Sequence, residues 1–206
     1  MRIRSAFETV VKPTLWEAEW AAWALLFAAL TGMGAIMRVP LSPVPLTMQV
    51  FFVLLSSIVL GPVWGPLSQL AYLAMGLCGA PFFAAPPHAG PAVLFGPTGG
   101  YLWGFVLASA VTGWLSAAVR RRARGRRSAA NAYLLLSGLA GVVAIYAAGT
   151  GWLAAWLGAL GKDSSLAFAL GVRPFIAPDL AKAALAALAA GSVIPLAPGT
   201  GKRAMK

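Results

Sequence analysis

Charge is scarce in this sequence: only 10% of its 206 residues are Asp, Glu, Lys or Arg. Soluble globular domains carry about 25% charged and roughly 45–50% apolar residues, whereas 60% of this chain is hydrophobic. At a mean hydropathy of +0.80, a water-soluble domain would be coated in exposed hydrocarbon. Cysteine is nearly absent, and the single Cys78 excludes a disulfide-rich secreted scaffold. With one histidine, His88, neither a zinc site, an iron–sulfur site nor a histidine triad with a second histidine to spare is in reach. HExxH and GxxxxGK[ST] do not occur; Gly161-Lys162-Asp163 and Gly201-Lys202-Arg203 lack the Ser/Thr and the upstream glycine. The chain therefore shows no means of hydrolysing ATP. Of five acidic residues, Glu8, Glu17 and Glu19 belong to the cytoplasmic entry of the first span, Asp163 lies in a loop, and that leaves Asp179 alone at the outer edge of a span. One edge carboxylate is thin material for a proton relay. What remains is a non-enzymatic membrane protein without a cofactor, which binds passively and is powered by a partner.

What is present is long apolar sequence. No charged residue occurs between Arg38 and Arg120, and one helical crossing needs about 20 residues, so three crossings fit with their connections. Gly61-Pro62, Gly65-Pro66 and the Gly/Pro-rich stretch 81–100 mark the breaks. The reading is an all-α polytopic membrane protein forming a single membrane domain over 1–206. Its six transmembrane helices lie near 18–37, 44–61, 65–79, 100–119, 131–149 and 179–197. Short interfacial helices anchored by Trp152 and Trp156 are expected within 151–178. With both termini cytoplasmic, 12 of the 16 basic residues fall inside, as the positive-inside rule requires. The run Arg120-Arg121-Arg122-Ala123-Arg124-Gly125-Arg126-Arg127 is then an orientation signal facing anionic membrane lipids rather than a nucleic-acid site. A cleaved leader is not expected, because acidic and basic residues mix ahead of the first span.

Polar residues in or beside the spans are the candidates for binding. Asp179 and Lys182 share a helix face at i, i+3. They read either as a helix start with a snorkelling lysine or as a ligand clamp in an apolar pocket. Thr47 and Gln49 stand at the proline-rich start of the second span, as an N-cap and an interhelical hydrogen bond or as ligand contacts. Gly96-Pro97-Thr98-Gly99-Gly100-Tyr101 opens the fourth span, where the glycines serve close packing or seat an anion on free N–H groups. All three helix starts share one side in this topology. His88 is a solvated loop histidine or a ligand contact. Ala24, Ala28 and Gly32 form a small-residue stripe on the first helix, suited to close packing of another helix.

These residues resemble one family. Val39-Pro40-Leu41-Ser42-Pro43-Val44-Pro45-Leu46-Thr47-Met48-Gln49 resembles the second-helix segment of the BioY family, the biotin-specific S components of energy-coupling-factor (ECF) transporters. Gly76-Leu77-Cys78-Gly79-Ala80-Pro81-Phe82-Phe83-Ala84 is similar to that family's glycine-rich exit from the third helix. Gly96 to Tyr101 with Gly104-Phe105 resembles its best-known signature, and Gly171 to Ile176 with Pro178-Asp179-Leu180-Ala181-Lys182 its sixth-helix motif. The four occur in order over about residues 20–195.

The resemblance implies an ECF S-component fold in the bacterial cytoplasmic (inner) membrane. Biotin uptake would be energised by a transmembrane coupling protein and two cytoplasmic ATPase subunits. It implies binding roles for Asp179, Lys182 and Thr47, and docking of the coupling protein on the stripe at Ala24, Ala28 and Gly32. On that basis Asp179 accepts from the ureido N–H groups and Lys182 donates to the bicyclic head or the tail. Gln49 and Gly99 complete the polar rim, and Phe82, Phe83 and Tyr101 wall the apolar ring. Where family members often carry Asn after the third-helix exit, this chain runs Ala84-Ala85-Pro86-Pro87-His88, and His88 is the stand-in. Nanomolar affinity over about 16 heavy atoms is roughly −0.8 kcal/mol per atom, which calls for near-complete enclosure. The rivals are an S component for thiamine or riboflavin, and an intramembrane enzyme with Asp179 as base.

Overall fold

The computed structural model describes residues 15–122 and 127–193. The basic residues of both termini and the centre of the arginine run, which carry most of the topology reading, lie outside them. Helix α1 (Leu15–Ile36) leads into a two-residue antiparallel hairpin, β1 (Arg38–Val39) and β2 (Leu46–Thr47), with Arg38 opposite Thr47. Then follow α2 (Gln49–Leu77), α3 (Ala92–Phe95), α4 (Gly99–Arg122), α5 (Arg127–Ala159), α6 (Leu166–Gly171) and α7 (Ile176–Val193). The 17–36, 49–77, 99–118 and 130–159 stretches are long and apolar enough to cross a membrane. Large side chains such as Trp23, Met33, Trp103, Trp114, Leu136 and Leu188 are exposed around the bundle, as lipid contact requires.

Helix α2 is continuous in name only. Gly61 sits at φ 80°, ψ −164°, a conformation that a side chain would strain, and Pro62 follows without an N–H to continue the ladder. The chain doubles back there. Gln69 Nε2 donates to Ser56 Oγ at 3.0 Å, although 13 residues of straight helix would separate them by about 20 Å. The arms 49–60 and 62–77 thus lie against each other, as the Gly-Pro breaks suggested. Opposite the bend, a methyl on Gly113 would stand 2.7 Å from the carbonyl carbon of Gly61, so glycine lets α4 approach the turn. Ser57 of the first arm donates to Ser109 of α4 at 2.7 Å.

Helix α5 departs from the expectation. It runs unbroken through Gly149-Thr150-Gly151 to Ala159, so Trp152 and Trp156 belong to this long helix rather than to short interfacial ones. Gly149 is there for packing, since a methyl on it would meet the Tyr101 ring. Trp152 donates from Nε1 to the carbonyl of Gly96 at 2.9 Å, tying the end of α5 to the start of α4. The 151–178 stretch keeps one short helix, α6. Ahead of it the backbone N–H and hydroxyl of Ser165 donate to Asp163 at 2.8 and 2.7 Å and hold its carboxyl below the ordinary range. Helix α7 starts at Ile176, earlier than expected, and packs against α5 and α2. In the core α4 packs between α2 and α5, around Leu54, Tyr72, Phe105, Ile145 and Leu153.

Candidate functional site

The starts of α2, α4 and α7 converge at one end of the bundle, beside the middle of α5. Between them is a cavity of about 560 Å³, part of it open to solvent, lined by Thr47, Gln49, Tyr101, Tyr146, Asp179 and Lys182 among others. The rest of the wall is mostly apolar: Val44, Val50, Val93, Leu102, Phe105, Ile145 and Phe175.

Its centre is an ion pair. Lys182 Nζ stands 2.7 Å from Asp179 Oδ1, and the two residues are only 6% and 2% exposed. A pair taken this far from water is costly, and truncating one member leaves the other charge uncompensated. Asp179 is not capping its helix: its backbone N–H already donates to Phe175 O, and its side chain turns to Lys182 and Tyr146. Tyr146 donates to Asp179 Oδ2 at 2.8 Å. Each carboxylate oxygen has one protein donor, and with about four lone-pair sites in all it retains acceptor capacity on both oxygens.

The surrounding polar groups are held in place by their own bonds. Thr47 Oγ1 accepts from the Gln49 N–H at 3.2 Å, although the N-cap is Met48 and not Thr47. Gln49 Nε2 donates to Tyr72 Oη at 2.6 Å and joins the two arms of α2, while Tyr72 Oη donates to the carbonyl of Phe82. Tyr101 Oη donates to Gly171 O at 2.8 Å, which fixes its ring in the wall.

Four expected contacts are not on this wall. Phe83 is fully buried beneath it, edge-on to Tyr72 at 5.8 Å. Phe82 packs on Gly32. A methyl on Gly99 would meet the Leu94 carbonyl, so this glycine serves packing. His88 turns to Arg38 and the Phe83 carbonyl, and Ala84 and Ala85 of the same loop are what reach the cavity. The stripe at Ala24, Ala28 and Gly32 is corrected too. Ala24 and Ala28 are 4% and 0% exposed, so this face packs into the body of the protein and is not free to dock a partner. Tyr146 is the residue the sequence reading passed over; its signal was a phenol in an apolar span, which needs a partner once buried.

A helical membrane bundle with a mostly apolar cavity and a buried ion pair on its wall defines a small-molecule-binding membrane component. Residues 9–199 match the BioY family, and the chain belongs to that family. It is 43% identical over 165 residues to the probable biotin transporter BioY of Pyrococcus horikoshii, covering 80% of this chain and 90% of that one. It is 41% identical to the biotin transporter BioY of Thermotoga maritima, covering 80% and 89%. Its fold is similar to the crystal structure of an S-component for biotin from an ECF-type ABC transporter. There the TM-score is 0.73 at 20% identity, over 89% of this chain and 94% of that one. The chain is a multi-pass membrane protein of a transporter family.

Proposed function

We propose that this chain is the biotin-binding S component of an ECF transporter and mediates biotin uptake without chemistry of its own. The observation that carries the reading is the Asp179 carboxylate, only 2% exposed and anchored through both oxygens at the cavity wall. The ureido ring presents one carbonyl flanked by two N–H donors that point apart. Asp179 accepts from one of them, and the Lys182 ammonium donates to the adjacent carbonyl or to the carboxylate tail. The thiophane ring lies against Phe105, Tyr101 and Phe175. Two relatives named as biotin transporters, each covering about nine-tenths of its own length, support the same ligand.

The chain would act in the bacterial cytoplasmic membrane as a single domain. Its six crossings would be α1, the two arms of α2, α4, α5 and α7, with both termini inside and the cavity opening outward. A transmembrane coupling protein and two cytoplasmic ATPases would supply the energy. Isothermal titration of biotin into the detergent-purified chain, in competition with thiamine and riboflavin, tests the reading. Saturable binding displaced by biotin alone is expected. Absence of biotin binding, or displacement by either other vitamin, refutes it.

A further inference from the structure

The 78–91 loop between α2 and α3 supplies one side of the cavity through Ala84 and Ala85, yet it carries no helix or strand of its own. Beside the Tyr72 hydroxyl on the Phe82 carbonyl, a distant side chain secures it. Arg38 on β1 donates from Nη1 to the carbonyl of Ala84 at 3.3 Å. The same guanidinium lies 3.3 Å from His88 Nδ1 and 3.4 Å from Nε2. His88 Nδ1 is also 3.1 Å from the Phe83 carbonyl. The backbone closes the segment further, with His88 N donating to Ala85 O and Phe83 N to His88 O, both at 2.9 Å.

These partners constrain the imidazole. A guanidinium only donates and stays charged, and a carbonyl only accepts. A ring set between them must donate on one side and accept on the other. A neutral imidazole does so, with Nδ1–H on Phe83 O and the Nε2 lone pair toward Arg38. The imidazolium has no lone pair left for Arg38 and brings a second positive charge against it.

We propose that Arg38 and His88 are positioning residues of the ligand site, a clamp that holds Ala84 and Ala85 against the cavity while His88 is neutral and releases them on protonation. The clamp rests on the biotin-binding reading. Arg38 is the charged group bonded to His88. Of the titratable groups on neighbouring elements, Tyr72 of α2 is bonded to Gln49 and Phe82, and Lys182 of α7 is matched by Asp179. Cys78 is exposed, Asp163 is engaged by Ser165, and Glu17 and Glu19 lie at the far end of α1.

The test is biotin titration into the purified full chain and its variants at neutral and at mildly acidic pH. Wild type should lose affinity at the lower pH. His88→Asn keeps one donor and one acceptor without titrating, and Asn tolerates the left-handed backbone that His88 adopts at φ 71°. It should lose the pH response. Arg38→Met should weaken binding at neutral pH already and flatten the pH response. Equal wild-type affinity at both pH values, or a wild-type pH response kept by His88→Asn, overturns the clamp. Failure of wild type to bind biotin at either pH overturns the biotin reading itself.

Discussion

Replacing Asp179 with Asn changes the site by one charge and almost no volume. Lys182, 6% exposed and 2.7 Å from the carboxylate, then keeps a neutral acceptor but no counter-charge. Breaking a buried pair costs about 3–5 kcal/mol, and the acceptor retained by Asn places this variant near the lower end. Binding suffers separately. The charged acceptor that Asp179 offers a ligand N–H becomes a neutral oxygen beside an NH₂ that cannot accept. Hydrogen bonds to charged groups are worth about 1.5–3 kcal/mol, so the loss is about 3 kcal/mol, roughly 150-fold in Kd. Isothermal titration with biotin reads the second effect and ligand-free thermal unfolding the first. The double variant Asp179→Asn/Lys182→Met separates them, because an apolar side chain relieves the uncompensated charge. It should regain thermal stability and stay weak for biotin. Wild-type affinity in either variant would show that the pair takes no part in holding the ligand.

Tyr146→Phe removes the 2.8 Å donor on Asp179 Oδ2 and should weaken biotin binding by about 1 kcal/mol, roughly fivefold; an unchanged Kd would deny Tyr146 any part in holding the carboxylate. Gly149→Ala drives a methyl into the Tyr101 ring. It should cost about 1–3 kcal/mol of stability, read as a lowered Tm, while Gly151→Ala, with nothing within 4 Å of the added methyl, should leave Tm unchanged or slightly raised. Tyr72→Phe deprives the Gln49 amide, 3% exposed, of its 2.6 Å acceptor. That should destabilise by about 1–3 kcal/mol, and a thermal scan matching wild type would show that the amide finds another partner.

The membrane class, the helical content and the convergence of Thr47, Gln49, Tyr101, Asp179 and Lys182 at one cavity were legible in the chain itself. Hydropathy and the Gly-Pro breaks act locally, and a charged residue at the edge of an apolar span has few affordable surroundings. The motifs resembling BioY pointed to the same side chains, and the family match agrees with that resemblance. Legibility failed where a residue's role depends on what packs against it. Gly149 and Gly151 read as the end of a helix, although α5 passes through both and Gly149 makes room for Tyr101. The Ala24–Ala28–Gly32 stripe read as an outward docking face, and only its burial assigns it to internal packing. Tyr146 and Asp179 are 33 residues apart, and Arg38 and His88 are 50 apart. No periodicity links such partners, because their distance is set by how α5 lies along α7 and how β1 meets the loop after α2. Local sequence thus determined what the chain is made of and where it lives; the tertiary packing alone decided which side chains face the cavity and which support those that do.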